Sequence, residues 1–196
     1  MKNHSPILIL MVAFIAVACS SVKYNKVYSY QDEFLHNSKR YTRVHLKPEE
    51  RRTEIGAANI IFEKEINSEG EDINAYFVVY RSSSSFKVKD KGFIKTGGRQ
   101  FDVPLMDPVS EFKSKSEATI SGIAFADTSG VVTGQTADID TRTWIEDKFM
   151  INLSEEIAEE IKVASNVIVR FYFGPIPITY KLEGYKLLSV KNALKN

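Results

Sequence analysis

The chain is short of the side chains that most often perform catalysis or bind metals. Its 196 residues include one cysteine, three histidines and one tryptophan. A single cysteine excludes an internal disulfide, so packing alone has to stabilise the fold even in an oxidising compartment. Because zinc sites need clusters of cysteine and histidine, the same shortage argues against zinc.

Catalytic motifs are missing as well. His36 falls in a polar segment and His45 in a predicted strand, and no G-x-S-x-G nucleophile motif accompanies either. No glycine-rich loop leads into a helix and lysine as a phosphate site requires. The sequence therefore predicts no enzyme and no cofactor. The acid pair Glu146 and Asp147 leaves one alternative open, an envelope hydrolase, because only geometry can exclude two carboxylates.

A calcium site has weak support. Asp127, Asp138 and Asp140 offer carboxylate oxygens within residues 127–141, but without the spacing of a calcium-binding loop. Short polar residues of this kind also satisfy their own backbone in exposed turns. We therefore predict an exposed hairpin loop here and no metal.

Charge of one sign is not in excess, and long apolar runs are absent. The chain has 26 basic and 25 acidic residues, and this balance argues against a nucleic-acid partner. The apolar run at residues 7–18 has twelve members, whereas a membrane-spanning helix needs about 20.

What the chain does have is an N-terminal export pattern. Lys2 precedes the apolar run, and Ala16 and Ala18 place small residues at the two positions that signal peptidases inspect. The pattern predicts a signal peptide over residues 1–18. The mature chain of 178 residues then carries 25 basic and 25 acidic side chains and is long enough to bury a core.

The segment Ala16-Val17-Ala18-Cys19 resembles the lipobox of bacterial lipoproteins, with alanine where a bulky aliphatic residue is usual. The resemblance covers about twenty residues and does not extend to the domain behind them. It implies acylation of Cys19 and anchoring to a membrane through the attached lipid, which several acyl chains make durable. The residues that follow, Ser20-Ser21, lack the aspartate of an inner-membrane retention signal, which implies the outer membrane. Plain secretion is the alternative, since both peptidases would cut the same bond.

The mature chain divides into two parts. Residues 19–40 are interpreted as the lipidated N-terminus and a tether, parts of which are aromatic enough to pack on the domain. Residues 41–196 are interpreted as one β-rich domain. Its predicted strands cover residues 41–46, 55–66, 73–81, 86–96, 99–105, 118–126, 142–153, 167–173 and 176–182. The segment 55–66 also fits a helical face, but the strand is favoured.

Local signals define one turn and two helices. Gly97-Gly98 between alternating runs predicts a two-residue hairpin turn. Ser154 followed by Glu155 and Glu156 predicts a helix start, and apolar spacing after Gly184 predicts a terminal helix. The fold class is therefore α+β, mainly antiparallel β-sheet with two short helices near the C-terminus, and a β-sandwich with peripheral helices is the alternative.

One surface stands out as a binding candidate. Lys87, Lys89, Lys91 and Lys95 alternate along one predicted strand that also holds Phe93. Such a row suits anionic lipid headgroups, acidic glycans or phosphate-bearing envelope polymers. Alternatively, the lysines protect an edge strand from aggregation.

Together these observations predict an exported, lipid-anchored cell-envelope protein with a binding or structural role. Its partner would be an envelope protein or glycan. Besides the hydrolase, the other alternative is an envelope assembly or chaperone-like factor that holds a partner chain at an open strand edge.

Overall fold

The computed structural model describes residues 23–32, 37–51, 54–127 and 130–195. Cys19 and the predicted signal peptide lie outside these residues. The strands are β1 (Val27–Asp32), β2 (Asn37–Leu46), β3 (Ile55–Asn67), β4 (Gly70–Arg81), β5 (Lys91–Thr96), β6 (Arg99–Pro104), β7 (Met106–Asp127), β8 (Gly130–Asn152), β9 (Asn166–Phe173) and β10 (Ile176–Glu183). The helices are α1 (Glu155–Val163) and α2 (Gly184–Leu194).

The strands form two antiparallel sheets. The larger sheet has six strands in the order β1-β2-β3-β4-β8-β7, and the smaller has four in the order β10-β9-β5-β6. This confirms the predicted α+β class, with mainly antiparallel sheet and two helices near the C-terminus. The segment 55–66 is a strand, as favoured, because its buried residues alternate with partly exposed ones along β3.

The core lies between the two sheets and the helices. Strand residues of both sheets alternate between buried and exposed positions, and the buried sets form one apolar cluster. Three rings join the sheets at its centre. Phe171 of β9 meets Phe77 of β4 and Phe149 of β8 edge-on, with ring centroids 5.0 and 4.8 Å away. The two sheets therefore pack face to face, which gives the fold its sandwich-like character.

The predicted turn at Gly97-Gly98 is confirmed, and it positions the smaller sheet against α1. Both glycines have positive φ, 57° and 84°, which the two-residue hairpin turn requires. Arg99, directly after the turn, forms ion pairs with Glu156 and Glu160 of α1.

A side chain satisfies free backbone groups at one end of each helix. The Ser154 hydroxyl accepts a hydrogen bond from the Ile157 backbone N–H at 3.4 Å, as expected of an N-cap. At the other helix, the Arg40 guanidinium donates to the carbonyls of Asn192 and Lys195, both at 2.8 Å. A cation here complements the negative end of the helix dipole.

Residues 27–32 and 37–40 belong to the larger sheet, although they fall within the predicted tether. Strand β1 pairs with β2, and β2 pairs with β3 from Ser38 onwards. Tyr28 and Tyr41 stack at 5.2 Å across the β1–β2 pair. Aromatic side chains of this segment therefore stabilise the pairing of β1 with β2.

The prediction of an exposed loop over residues 127–141 is wrong for residues 127 and 130–141, and residues 128–129 lie outside the described part of the chain. Backbone pairing of β7 with β8 continues from Phe112↔Ile145 to Asp127↔Gly130, while β4 pairs with β8 only as far as Ile145. Residues 112–127 and 130–145 therefore form a two-stranded projection, here called the arm, about 50 Å long at roughly 3.3 Å per residue. Residues 114–119 and 138–143 are exposed. Because solvent meets these residues on both faces, they lack the apolar alternation by which a strand is recognised.

Candidate anion-binding surface

The exposed face of the smaller sheet brings together basic and aromatic side chains from two strands. On β5, Lys91 and Lys95 are exposed and Phe93 is partly exposed, while the intervening Gly92 and Ile94 are buried. This alternation follows from the period of two in a strand. The residues with functional side chains therefore share the outward face.

Strand β9 supplies the other half of this surface. Phe93 lies opposite Arg170 in the β5–β9 pair. The rings of Phe93 and Tyr172 meet edge-to-face with centroids 5.9 Å apart. Arg170 is exposed and Tyr172 is partly exposed, while Phe171 between them points into the core. The two strands thus present one continuous surface.

Two lysines lie against these rings. The Lys89 Nζ is 5.8 Å from the centroid of Tyr172, and the Lys91 Nζ is 5.4 Å from that of Phe93. Both distances are within the range of cation–π attraction. The rings therefore hold cationic groups close to the aromatic pair. We call the whole surface the basic aromatic face; it consists of Lys89, Lys91, Phe93, Lys95, Arg170 and Tyr172.

A shallow concavity lies within this face. Its volume is about 240 Å³, and part of its lining is Gln100 of β6 and Ile168 of β9. The remaining lining residues are Phe93, Lys95, Arg170 and Tyr172. Apolar and aromatic walls with a few convergent polar groups are typical of a ligand site.

Arg170 is positioned by a chain of hydrogen bonds. Its Nε donates to the Thr179 hydroxyl at 3.1 Å, and the Thr179 backbone N–H donates to the Glu50 carboxylate at 2.7 Å. Partial burial tends to raise the pKa of Glu50, but the hydrogen bond from Thr179 and the charge of Arg170 hold that pKa below its usual value. Glu50 therefore stays ionised near Arg170, while the Thr179 hydroxyl makes the direct contact with Arg170.

Positive charge dominates the basic aromatic face. Among the described residues, the carboxylate paired with one of its lysines is Asp102, which binds Lys91. Lys95 is exposed and has no ion pair with any described residue. Because the surface carries four cations, it suits an anionic ligand with an apolar side.

The structure brings together three of the four predicted lysines. Lys91 and Lys95 lie on β5, whereas Lys89 precedes the strand and its backbone N–H donates to the Tyr172 carbonyl at 2.8 Å. Lys87 is exposed in the same preceding segment, outside the strand. Strand β5 lies between β9 and β6, so edge protection does not explain its lysines.

Arg170 and Tyr172 are members of the site that were not predicted from the sequence. Their positions in an alternating strand indicate that both side chains point away from the core. No local signal shows that β9 lies beside β5, because the two strands are about 70 residues apart in the chain.

The acid pair proposed for a hydrolase does not form facing carboxylates. Glu146 and Asp147 are neighbours on β8, so they point to opposite faces of the sheet. Asp147 is buried and bonded to Arg81, with the Arg81 Nε 2.5 Å from its Oδ2. Glu146 lies on the other face and accepts a hydrogen bond from the Trp144 indole at 3.2 Å.

His45 lies in a hydrogen-bond network on the outer face of the larger sheet. Its Nδ1 is 2.8 Å from Asn59 Oδ1, which also accepts from the Tyr24 hydroxyl. The Asn59 amide nitrogen in turn donates to the Tyr80 hydroxyl at 2.8 Å. Since Asn59 Oδ1 can only accept, His45 Nδ1 carries the proton.

Neither a group of metal ligands nor a membrane-spanning helix is found in the described part of the chain. Within the described ranges, no group of three or more His, Cys, Asp or Glu side chains has the geometry to hold a metal ion. None of the helices in that part of the chain is long and apolar enough to span a membrane.

Comparison with known proteins gives no relative. No protein-family model, curated protein or solved structure matches this chain.

Proposed function

We propose that this chain is an exported, lipid-anchored envelope protein that binds an anionic glycan on its basic aromatic face. Anchoring is supported by the export pattern and by the lipobox-like residues that end at Cys19. Glycan binding is supported by one observation above all, the arrangement of Lys89, Lys91, Lys95 and Arg170 around the Phe93–Tyr172 ring pair.

The rings favour a glycan over a lipid headgroup. Phe93 and Tyr172 offer apolar ring surface beside the concavity, against which the apolar side of a sugar ring can pack. Lys95 and Arg170, which line the same concavity, then pair with carboxylate or phosphate groups. A headgroup alone would pair with the charges and make no use of the exposed ring surface.

Isothermal titration calorimetry with the purified mature chain tests glycan binding. The probes are polygalacturonate as an acidic glycan, dextran as a neutral one, and phosphatidylglycerol vesicles as an anionic lipid surface. The test variant carries Lys95→Gln and Arg170→Gln. The control variant carries Lys115→Gln and Arg142→Gln, which removes one exposed lysine and one exposed arginine from the arm.

We expect polygalacturonate to bind, dextran to bind at least tenfold more weakly, and the test variant to lose at least tenfold in affinity for polygalacturonate. The control variant keeps its affinity. Equal losses in both variants would show non-specific charge attraction and would overturn the proposal. Binding to vesicles without binding to polygalacturonate would overturn it as well.

Mass spectrometry of the mature N-terminus tests the anchor independently. We expect a fatty-acylated Cys19 in the membrane fraction. An unmodified Cys19 in a soluble periplasmic fraction would overturn anchoring while leaving the glycan test unaffected.

A further inference from the structure

The arm presents an open strand edge. Strand β7 is the last strand of the larger sheet, and its pairing in the described part of the chain is with β8 alone. The backbone groups on its outer side are therefore available to another strand. Uncovered edges of this length are templates for pairing with a further chain.

The charges within the arm are poorly matched across the hairpin. Lys115 of β7 lies directly opposite Arg142 of β8, and Glu117 lies directly opposite Asp140. Like charges in directly opposed positions destabilise a strand pair. Lys115 and Glu117 instead pair with each other along β7, as Arg142 and Asp140 do along β8. Within β7, a basic position is thus followed by an acidic one two residues further on.

We infer that a second copy of this chain pairs with the outer edge of β7, antiparallel and centred on Ser116. In this register Lys115 of each copy lies opposite Glu117 of the other, so both charges gain a partner of opposite sign. Ser116 lies opposite its own counterpart, and Lys113 lies opposite Thr119. The two six-stranded sheets then join into one continuous sheet across the pair.

Charge selects this register over its neighbours. Centring the pair on Lys115 or Glu117 sets that residue against itself, and centring it on Ser114 sets Lys113 against Lys115. Directly opposed pairs of unlike charge stabilise a strand pair, and directly opposed pairs of like charge destabilise it. The register centred on Ser116 forms two favourable pairs, because Lys115 of each copy lies opposite Glu117 of the other.

Cysteine cross-linking tests the register directly. The full chain is expressed in a bacterial host with its N-terminal sequence intact, and membranes are oxidised with copper phenanthroline before non-reducing electrophoresis. Two Ser116→Cys copies would place their Cα atoms about 4.5–5.5 Å apart, within the range that a disulfide bridges. Two Ser114→Cys copies would be about 13 Å apart along the strand, too far for a disulfide.

We expect Ser116→Cys to give at least five times as much covalent dimer as Ser114→Cys. Co-expression of Ser114→Cys with Ala118→Cys should restore the dimer, because those positions are opposed. The unsubstituted chain measures any contribution of Cys19. Equal cross-linking at positions 114 and 116, or none at 116, would overturn the inference.

A charge exchange tests the pairing of Lys115 with Glu117. Adding Lys115→Glu to Ser116→Cys places like charges opposite each other between copies and should lower cross-linking at least fivefold. Adding Glu117→Lys as well restores opposite charges and should restore the dimer. Lys115→Glu relieves the like-charge pair with Arg142 but loses the ion pair with Glu117 along β7. The double change keeps opposite charges along β7 and relieves both like-charge pairs across the hairpin, so it separates the contact between copies from the stability of the arm. Unchanged cross-linking in the Lys115→Glu chain would contradict the proposed contact.

Discussion

Arg81 and Asp147 form a buried ion pair at the point where the arm leaves the body of the fold. The Arg81 Nε donates to Asp147 Oδ2 at 2.5 Å, and both side chains are at most 3% exposed. Ser110 of β7 donates to the same carboxylate at 2.5 Å. The pair therefore connects three neighbouring strands, β4, β8 and β7, at the base of the arm.

Removing the carboxylate of this pair should strongly destabilise the fold. We expect Asp147→Ala to lower the free energy of unfolding by about 3–5 kcal/mol, because it leaves the Arg81 guanidinium buried without its counter-charge. Urea unfolding followed by circular dichroism measures the change. Glu183→Ala, which breaks the exposed Lys181–Glu183 pair, is the control and should cost less than about 1 kcal/mol. Similar costs for the two variants would contradict the structural role of the buried pair.

Gly92 is required for packing beneath the basic aromatic face. A Cβ at this position would lie 2.8 Å from the Phe171 ring, closer than real contacts allow. We expect Gly92→Ala to lower the free energy of unfolding by about 1–3 kcal/mol through overpacking. Thermal unfolding compares it with Gln100→Ala at an exposed position of β6. A stability equal to that of the parent chain would show that Phe171 moves aside at no cost.

Tyr180 should make the fold sensitive to alkaline pH. Its ring is fully buried, and its hydroxyl donates to the Gly56 carbonyl at 3.0 Å. Burial, assisted by the charge of Glu50, raises the pKa of Tyr180 far above its ordinary value of 10.0. The folded state therefore keeps a proton that the unfolded chain loses above about pH 10, so stability falls as pH rises beyond that point.

The measurement for Tyr180 is urea unfolding between pH 8 and pH 11. Relative to Tyr180→Phe, the parent chain should lose up to about 1.4 kcal/mol of unfolding free energy per pH unit above pH 10. At pH 8 the variant should be less stable by about 1 kcal/mol, since it lacks the hydrogen bond to Gly56. Parallel pH profiles for the two chains would show that Tyr180 does not control this loss.

Arg40 should stabilise the end of α2. Its guanidinium donates to two terminal carbonyls of this helix, those of Asn192 and Lys195. We expect Arg40→Ala to cost about 1–3 kcal/mol, because hydrogen bonds from a charged donor are lost. Hydrogen exchange at residues 190–194 should increase most. Faster exchange throughout the domain, without a local maximum there, would contradict this specific role.

Substitutions of a ring and of a charge on the basic aromatic face should weaken glycan binding with different dependence on salt. Phe93→Ala is expected to weaken polygalacturonate binding by a similar factor at low and high salt, because the lost contact is apolar. Lys95→Gln should weaken it mainly at low salt, since added ions screen an exposed charge. Calorimetry at two salt concentrations measures both. Identical salt dependence in the two variants would contradict separate roles for ring and charge.

Much of the fold follows from local signals. The two glycines at 97 and 98 indicate a tight hairpin because both adopt positive φ. Ser154 predicts a helix start because its hydroxyl can accept the free backbone N–H of the first turn. Alternation of apolar residues identifies β9 because one of its faces is buried and the other is not. Each of these signals depends on residues a few positions apart.

Local signals did not predict the strands in two regions, part of the arm and the N-terminal part of the larger sheet. Residues 114–117 and 138–141 of the arm are exposed on both faces, so no burial pattern marks them as strand. Residues 27–32 and 37–40 are polar and aromatic without a clear alternation. Their place in the sheet depends on the pairing of β1 with β2 and of β2 with β3, and on the Tyr28–Tyr41 stack.

The sequence by itself determined the element types with strong periodicity, the tight turn, the helix starts, and the predictions of export and lipidation that end at Cys19. Only the tertiary structure decided that β9 lies beside β5, and so that Arg170 and Tyr172 join the lysines around Phe93. It also decided that Asp147 pairs with Arg81 in the core, and that β7 is left as an open edge. The physical reason is that strand neighbours are chosen by packing of the whole core, which no short stretch of sequence encodes.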